Sequence, residues 1–217
     1  MIDKEIIEKA GNISQERLEM LGGIQKRMPF HIPSKDAVVT ELLGLYQTMV
    51  TRRGGIFQLD EPTSSKIEKV STWIYESQKR GLMLIGTMGN GKTTMLLSLL
   101  YFFGEKATLY EASSLFDKIK KEKEIPQRAN NDILLIDDLG VEPPYFNDFG
   151  ITRYPLAEVL LKRYRDNKIT VIVTNLSLDQ IGQIYGDRVR ERMIETFAAI
   201  QYTEPSYRTQ KMSTTHE

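Results

Sequence analysis

Four residues near the middle of the chain fit the pattern GxxxxGK[ST], namely Gly86, Gly91, Lys92 and Thr93. Small residues at this spacing let consecutive backbone N–H groups close around phosphate oxygens. The lysine then reaches the β- and γ-phosphates of a nucleotide, and the threonine hydroxyl coordinates magnesium. The same letters also occur in an ordinary glycine-rich turn between two core elements, so the flanking sequence has to decide between the two interpretations.

Both flanks of the pattern favour the phosphate-binding interpretation. The four residues from Leu82 to Ile85 form an uninterrupted apolar run, as in a strand that is buried on both faces. Apolar residues then surround the segment after Thr93 almost completely, which is typical of a helix packed centrally on a sheet. The order strand, glycine-rich loop, helix is the context that the pattern requires.

Three polar residues come at the ends of predicted strands, where ligands bind in parallel sheets. Asp137 closes the run ILLID and is a candidate magnesium ligand, directly or through water. Asp138 could orient or deprotonate an attacking water. Asn175 follows the strand Ile169–Thr174 and could hold that water or the γ-phosphate. Ordinary turn chemistry also places Asp and Asn after strands, and this is the alternative interpretation of all three residues.

The segment YGDRVRERM, residues 185–193, presents Arg188 and Arg192 four residues apart on one face of a short helix. An arginine that enters a neighbour's nucleotide site stabilises charge on the transferring phosphoryl group. The acidic residues Asp187, Glu191 and Glu195 allow a second interpretation, in which the arginines form salt bridges on a surface helix. The spacing alone leaves both open.

The elements that must position these side chains alternate between strand and helix. Strands are predicted at 82–85, 107–110, 133–136, 169–174 and 197–202, with helices at 113–123, 155–165, 178–185 and 187–195. Crossovers of more than a dozen residues require parallel strands with helices on both faces of the sheet. The predicted fold is an α/β, three-layer P-loop NTPase domain with a five-stranded parallel sheet, spanning residues 55–217.

Residues 1–54 are predicted to form a separate, small helical region. One helix would carry Ile2, Ile6 and Ala10 on one face, and a second would follow Ser34 as its N-cap. This region could cover the ATPase core or bind a partner. Residues 56–59 are predicted to form a short strand, and a helix that opens at Glu61 should end near Arg80.

Composition sets limits on the class of protein. Lysine plus arginine equals aspartate plus glutamate at 29 each, so no overall positive field draws the chain to nucleic acid. Lys118, Lys120, Lys121 and Lys123 on one predicted helix could contact DNA, although such a run is usually a solvated face. Cysteine is absent and no apolar run suits a membrane span, which predicts a cytoplasmic protein without a membrane partner. The guanine-specific pattern NKxD has no full match, which favours ATP.

The ordered motifs GTMGNGKTT, ILLIDDLGVEP, TVIVTNLS, YGDRVRERM and SYR resemble those of bacterial helicase loaders of the DnaC type and their IstB-type transposon relatives, within the AAA+ ATPases. The resemblance covers residues 81–208. It implies ATP hydrolysis with Mg²⁺, with Asn175 as the first sensor, Arg192 as the arginine finger beside Arg188, and Arg208 as the second sensor. The implied nucleotide-binding residues are Gly86, Thr87, Met88, Gly89, Asn90, Gly91, Lys92, Thr93, Thr94 and Arg208.

The resemblance also implies partners. These are a replicative ring helicase, single-stranded DNA and a second copy of the chain, whose site would receive Arg192. An IstB-type helper of transposition would share this core and differ in its partner. Many AAA+ proteins have glutamate where this chain has Asp138. The shorter side chain moves the carboxylate by over an ångström, which predicts slow hydrolysis and leaves open a nucleotide-gated binding module with little turnover.

Overall fold

The computed structural model describes residues 34–204, which form two compact units. One unit comprises residues 34–78 and 94–105, and the other comprises residues 79–93 and 106–204. The predicted helix around Ile2, Ile6 and Ala10, and the second sensor Arg208, lie outside the described residues. The proposed boundary after residue 54 stays a prediction.

The first unit consists of helices. Helix α1 spans Lys35–Arg52 and α2 spans Glu61–Glu76. The Ser34 hydroxyl caps α1 by accepting a hydrogen bond from the Ala37 N–H at 3.1 Å, as predicted. Asp60 caps α2 in the same way through the Thr63 N–H at 2.8 Å. Helix α2 ends at Glu76, four residues before the predicted end near Arg80.

The strand predicted at residues 56–59 is wrong. These residues alternate in exposure as a strand would, with Ile56 83% exposed. Within residues 34–204, however, no strand pairs with them. A segment that lacks a neighbour has no ladder of backbone hydrogen bonds, so its alternating pattern alone does not make it a strand.

The second unit contains the predicted parallel sheet. Its strands are β1 (Gly81–Gly86), β2 (Ala107–Glu111), β3 (Ile133–Leu139), β6 (Ile169–Thr174) and β7 (Phe197–Tyr202). They lie in the order β2-β3-β6-β1-β7, and every neighbouring pair is parallel. Helix α3 (Lys92–Phe103) follows β1 in the chain and belongs to the first unit from Thr94 onward. The helices of the second unit are α4 (Ala112–Glu122), α5 (Pro155–Arg165), α6 (Leu178–Tyr185) and α7 (Asp187–Thr196). Short 3₁₀ turns occupy Gly104–Lys106 and Gln127–Asn130. The α/β fold with a five-stranded parallel sheet is confirmed.

The core of this unit forms between the continuous apolar strands and one face of each helix. Leu115, Phe116 and Ile119 of α4 are fully buried or nearly so, and they pack with the residues of β3 and with Ile172 of β6. On the sheet, β1 buries its first five residues and β3 buries every residue from Ile133 to Asp137. A sheet buried on both faces has little freedom in register, so the strand ends are fixed relative to one another.

A small hairpin follows the glycine- and proline-containing segment after β3. Strands β4 (Phe146–Asp148) and β5 (Ile151–Arg153) pair antiparallel around a two-residue turn. Both turn residues are left-handed, with φ of 47° at Phe149 and 84° at Gly150. Such turns usually carry Asn-Gly or Asp-Gly, and Phe-Gly lacks that signal.

Candidate functional site

The predicted phosphate loop connects the end of β1 to the start of α3. Gly89 and Gly91 have φ of 86° and 94°, in the left-handed region that glycine tolerates best. This backbone turns the loop sharply before the helix begins at Lys92. The loop therefore has the conformation and the helix start that suit an anion.

Lys92 lies at the centre of this loop. Its ammonium donates hydrogen bonds to the carbonyl oxygens of Gly86 and Thr87, each at 2.5 Å, and to Asn90 Oδ1 at 3.2 Å. The side chain is only 5% exposed. The Lys92 ammonium is thus buried against the loop backbone at the start of α3, where a phosphate bound at this loop would contact it.

Asn90 joins the loop to the edge strand β7. Its side chain is fully buried, and Nδ2 donates to the Tyr202 carbonyl oxygen at 2.8 Å. A Cβ added at Gly86 would lie 2.2 Å from that same carbonyl oxygen, which explains the glycine. The amide of Asn90 thus bridges Tyr202 and the Lys92 ammonium, and it attaches the loop to β7.

Thr93 and Asp137 meet at the carboxyl edge of the sheet. The Thr93 hydroxyl donates to Asp137 Oδ1 at 3.3 Å, and the Asp138 N–H donates to the same oxygen at 3.1 Å. Burial raises the pKa of Asp137 above 3.8, and the neighbouring Asp138 charge adds to this rise. A hydroxyl beside a carboxylate whose charged form is disfavoured by burial and by a neighbouring negative charge fits Mg²⁺, because the cation would stabilise that charged form.

Asp138 has an unusual backbone for a non-glycine residue. Its φ is 53°, and the pairing of β3 with β6 is irregular between Ile136 and Leu139. An irregularity of this kind redirects a side chain, and here it leaves Asp138 exposed while Asp137 is buried. The two carboxylates therefore lie in different environments, as the different roles predicted for them require.

Asn175 follows Thr174, which is aligned with Ile85 of β1 and with Leu139 of β3. The Thr174 hydroxyl donates to the Leu139 carbonyl oxygen at 2.7 Å and accepts from the Leu176 N–H at 3.0 Å. These bonds fix the backbone on both sides of Asn175, whose side chain is exposed. The register thus brings Asn175 to the same edge as the phosphate loop and Asp137.

Arg192 lies elsewhere. Its guanidinium donates to Glu195 at 2.8 Å and stacks over the Tyr164 ring at 4.9 Å. It lines a small cavity with Arg80 and Phe197, at the amino ends of the strands. A six-residue strand spans about 20 Å at ~3.3 Å per residue, so Arg192 lies far from the phosphate loop of its own chain.

Arg188 occupies the first turn of the same helix and is exposed. Because α7 leads directly into the start of β7, it runs opposite to the strands, and its first turn lies nearer the carboxyl edge. Arg190 of the same helix donates to Asp179 at 3.1 Å. The salt-bridge interpretation thus describes Arg190 and Arg192 in the isolated chain, and the finger role stays a prediction.

The remaining predicted nucleotide-binding residues are on the loop surface or beside it. Thr87 and Met88 are exposed, Met88 by 73%. The Thr94 hydroxyl accepts a hydrogen bond from Arg53 at 3.3 Å within the helical unit.

One pair of residues and one single residue that the sequence did not single out become evident in the structure. Glu142 and Tyr185 are both 5% exposed, and the Tyr185 hydroxyl donates a short hydrogen bond to the Glu142 carboxylate. Arg163 is 1% exposed and bonds the segments that open β3 and β6. The motifs LGVEP and YGDRVRERM contain the pair, but nothing in their spacing indicated that they touch.

Comparison with known families agrees with this geometry. The model of the IstB-like ATP binding proteins matches residues 57–215. The chain belongs to this family. The IstB-like match covers every site residue discussed above, from the phosphate loop to Arg208, and it makes ATP the nucleotide that the family binds.

Solved structures share the fold of this IstB-like protein at low sequence identity. A DnaI crystal structure is 20% identical with a TM-score of 0.53, covering 70% of this chain and 88% of that chain. The structure of AMPPCP-bound DnaA from Aquifex aeolicus is 16% identical with a TM-score of 0.51, covering 73% of this chain and 53% of that chain. No curated protein sequence matches the chain. Among the described residues, no helix combines the length and apolar character needed to cross a membrane.

Proposed function

We propose that this protein is a Mg²⁺-dependent ATPase of the AAA+ type that assembles on single-stranded DNA and loads a ring helicase during replication. The observation that carries the ATPase part is the convergence of Lys92, Thr93 and Asp137 at one sheet edge. Lys92 would hold the β- and γ-phosphates, and Thr93 with Asp137 would hold the cation. Bound Mg²⁺ would supply charge neutralisation of the phosphates.

The exposed Asp138 would orient the attacking water, with Asn175 beside it. Neither carboxylate needs to remove the water's proton early, because phosphoryl transfer depends mainly on positioning and electrostatics. A carboxylate shorter than glutamate at this position supports slow turnover. That property suits a protein whose nucleotide state controls assembly.

The opposite placement of Arg192 supports a site shared between subunits. A guanidinium at the amino edge of one chain cannot act at the carboxyl edge of that chain, but it could act on a neighbour. The Tyr164 stack and the Glu195 pair would then hold Arg192 until a neighbour's phosphate competes for it.

Mixing two inactive variants tests the shared site. Lys92→Ala removes the phosphate contact and retains the arginine, whereas Arg192→Ala does the reverse. We expect each variant to lose activity and the mixture to recover a substantial part of it, because sites that pair a normal loop with a normal arginine form again. Arg165→Ala, an exposed arginine on α5, is the matched control and should hydrolyse ATP normally. Full activity of Arg192→Ala at assembling concentrations would refute the shared site.

A helper of DNA transposition is the second candidate, favoured by the family match to IstB-like proteins. The two candidates differ in the partner and share the ATPase. Affinity capture with the full chain, with ATP and Mg²⁺ present, separates them, since a ring helicase supports the loader and a transposase supports the helper. Measuring turnover with and without single-stranded DNA separates both from a binding module with negligible hydrolysis.

A further inference from the structure

We infer that the buried hydrogen bond between Tyr185 and Glu142 positions the arginine-bearing helix α7 against the strand that carries Asp137. This inference rests on the proposed function, and it adds a positioning pair to that site. The bond joins residues 43 apart in sequence, one just after β3 and the other at the end of α6.

Glu142 is firmly attached to the carboxyl edge of the sheet. One of its carboxylate oxygens accepts from the Gly140 N–H at 3.0 Å, and the other accepts from the Tyr185 hydroxyl. Gly140 itself has a φ of 106°, and a Cβ there would lie 2.4 Å from the Leu176 side chain. The turn that holds Glu142 is therefore packed between Asp138 and the residues around Asn175.

Tyr185 is equally well placed on the other side. It is the last residue of α6, and only Gly186 separates it from the first turn of α7, which carries Arg188. The two helices pack tightly, because a Cβ at Gly182 would lie 2.8 Å from the Arg190 side chain. Arg190 also pairs with Asp179 of α6 at 3.0 Å. Holding Tyr185 therefore holds the helix pair that presents Arg188 and Arg192.

The chemistry of the pair keeps the bond intact at neutral pH. Burial raises the pKa of Tyr185 well above 10, and the adjacent Glu142 carboxylate raises it further. The phenol therefore remains protonated and donates. Within residues 34–204, loss of the hydroxyl would leave the Gly140 N–H as the one remaining protein donor to this buried carboxylate, so the helix pair would shift or admit water to satisfy it.

The test asks whether Tyr185 matters in the subunit that lends the arginine. Tyr185→Phe combined with Lys92→Ala gives a subunit that can only lend it, and Arg192→Ala gives one that can only receive it. We expect this mixture to recover about tenfold to a hundredfold less activity than Lys92→Ala mixed with Arg192→Ala, because small misplacements of a reacting group cost rates of that order. Placing Tyr185→Phe in the receiving subunit should cost less. Equal recovery in all three mixtures would overturn the inference.

A second measurement keeps the inference separate from the proposed function. Hydrogen exchange of α7 amides in Tyr185→Phe should speed up at residues 186–196, while the phosphate loop and β1 stay as in the wild type. Tyr110→Phe, a half-buried phenol beside the same core, is the matched control and should leave α7 unchanged. If the mixture of Lys92→Ala with Arg192→Ala fails to recover activity, the shared site is wrong. Hydrogen exchange of α7 alone then tests the positioning role of Tyr185. Unaltered exchange in α7 would overturn the positioning role.

Discussion

Arg163 offers a prediction in which two large effects oppose each other. The side chain is 1% exposed. In the part of the chain that the structure describes, it donates to five acceptors that open β3 and β6, and none of them is a carboxylate. These are the carbonyl oxygens of Ala129, Asn131, Asp132 and Ile169 and the hydroxyl of Thr170. Arg163 therefore closes the amino ends of the two strands whose carboxyl ends carry Asp137 and Asn175.

The burial of this cation is costly. Desolvation lowers the pKa of Arg163 from 12.5 to about 10, which corresponds to a cost of about 3 kcal/mol for the charged form in the folded state. The side chain stays protonated at neutral pH, so the folded protein bears that cost. Against it stand the acceptors that would be left unpaired without Arg163, at about 1 kcal/mol or more each.

Replacement by methionine removes the charge and the bonds together, so the two effects largely cancel. We expect Arg163→Met to lower the free energy of unfolding by about 1–2 kcal/mol. Arg163→Lys keeps a more strongly hydrated charge and can satisfy at most three acceptors, so it should cost more, about 3–4 kcal/mol. Arg165→Met, an exposed neighbour on α5, should change little.

Urea unfolding followed by circular dichroism at pH 7.5 measures all three variants. The decisive comparison is the order of stability, with the methionine variant above the lysine variant. If lysine proved nearly as stable as arginine while methionine were much worse, the positive charge itself would be the stabilising element. The cost assigned to its burial would then be wrong.

Two further variants test the carboxylate at the site and the hairpin turn. Because folding raises the pKa of Asp137, its contribution to stability is full below the pKa of the unfolded carboxyl and is lost as pH rises through the folded value. Asp137→Asn should therefore be more stable than the wild type at pH 7.5 without nucleotide, and urea unfolding should show this gain shrinking toward pH 4; a constant gain would contradict the assignment. Phe149 is fully exposed with a φ of 47°, so Phe149→Asn should raise the unfolding free energy by about 0.5–1 kcal/mol. Phe149→Leu keeps the strain and should give no gain in the same urea unfolding experiment.

Much of the fold was predictable because local signals agreed with tertiary packing. The strand Ile169–Thr174 and the helix Pro155–Arg165 have the predicted bounds, since an apolar run and an N-terminal proline mark them clearly. The 56–59 segment shows the limit of this reasoning. Its alternation was present, but strand formation depends on a neighbour that alternation does not specify.

The site was predictable where chemistry is local in sequence. The phosphate loop needs glycines and a lysine at fixed spacing, so a pattern finds it. Asp137 could be placed because the end of a parallel strand lies at the ligand-binding edge. The hydrogen bond between Glu142 and Tyr185 depends on the distances at which helices pack on the sheet. The hydrogen bonds from Arg163 to the starts of β3 and β6 depend on the same distances. Those distances arise from summed side-chain volumes that no single motif records.

The placement of charge along the sheet links these observations. The carboxyl edge carries Lys92, Asp137, Asp138 and Asn175. Two arginines, Arg192 and Arg163, lie toward the amino edge. A single chain therefore separates the groups proposed to bind phosphate and Mg²⁺ from the guanidinium proposed to stabilise the transition state. The Glu142–Tyr185 bond ties the start of α7 to the turn after Asp137 at the carboxyl edge, and Arg192 lies further along the same helix. If neighbouring copies complete the site, this bond links β3, which carries the proposed magnesium ligand Asp137, to the helix whose arginine enters the neighbour's site. The position of β3 in one chain can then determine the position of the arginine that the same chain lends.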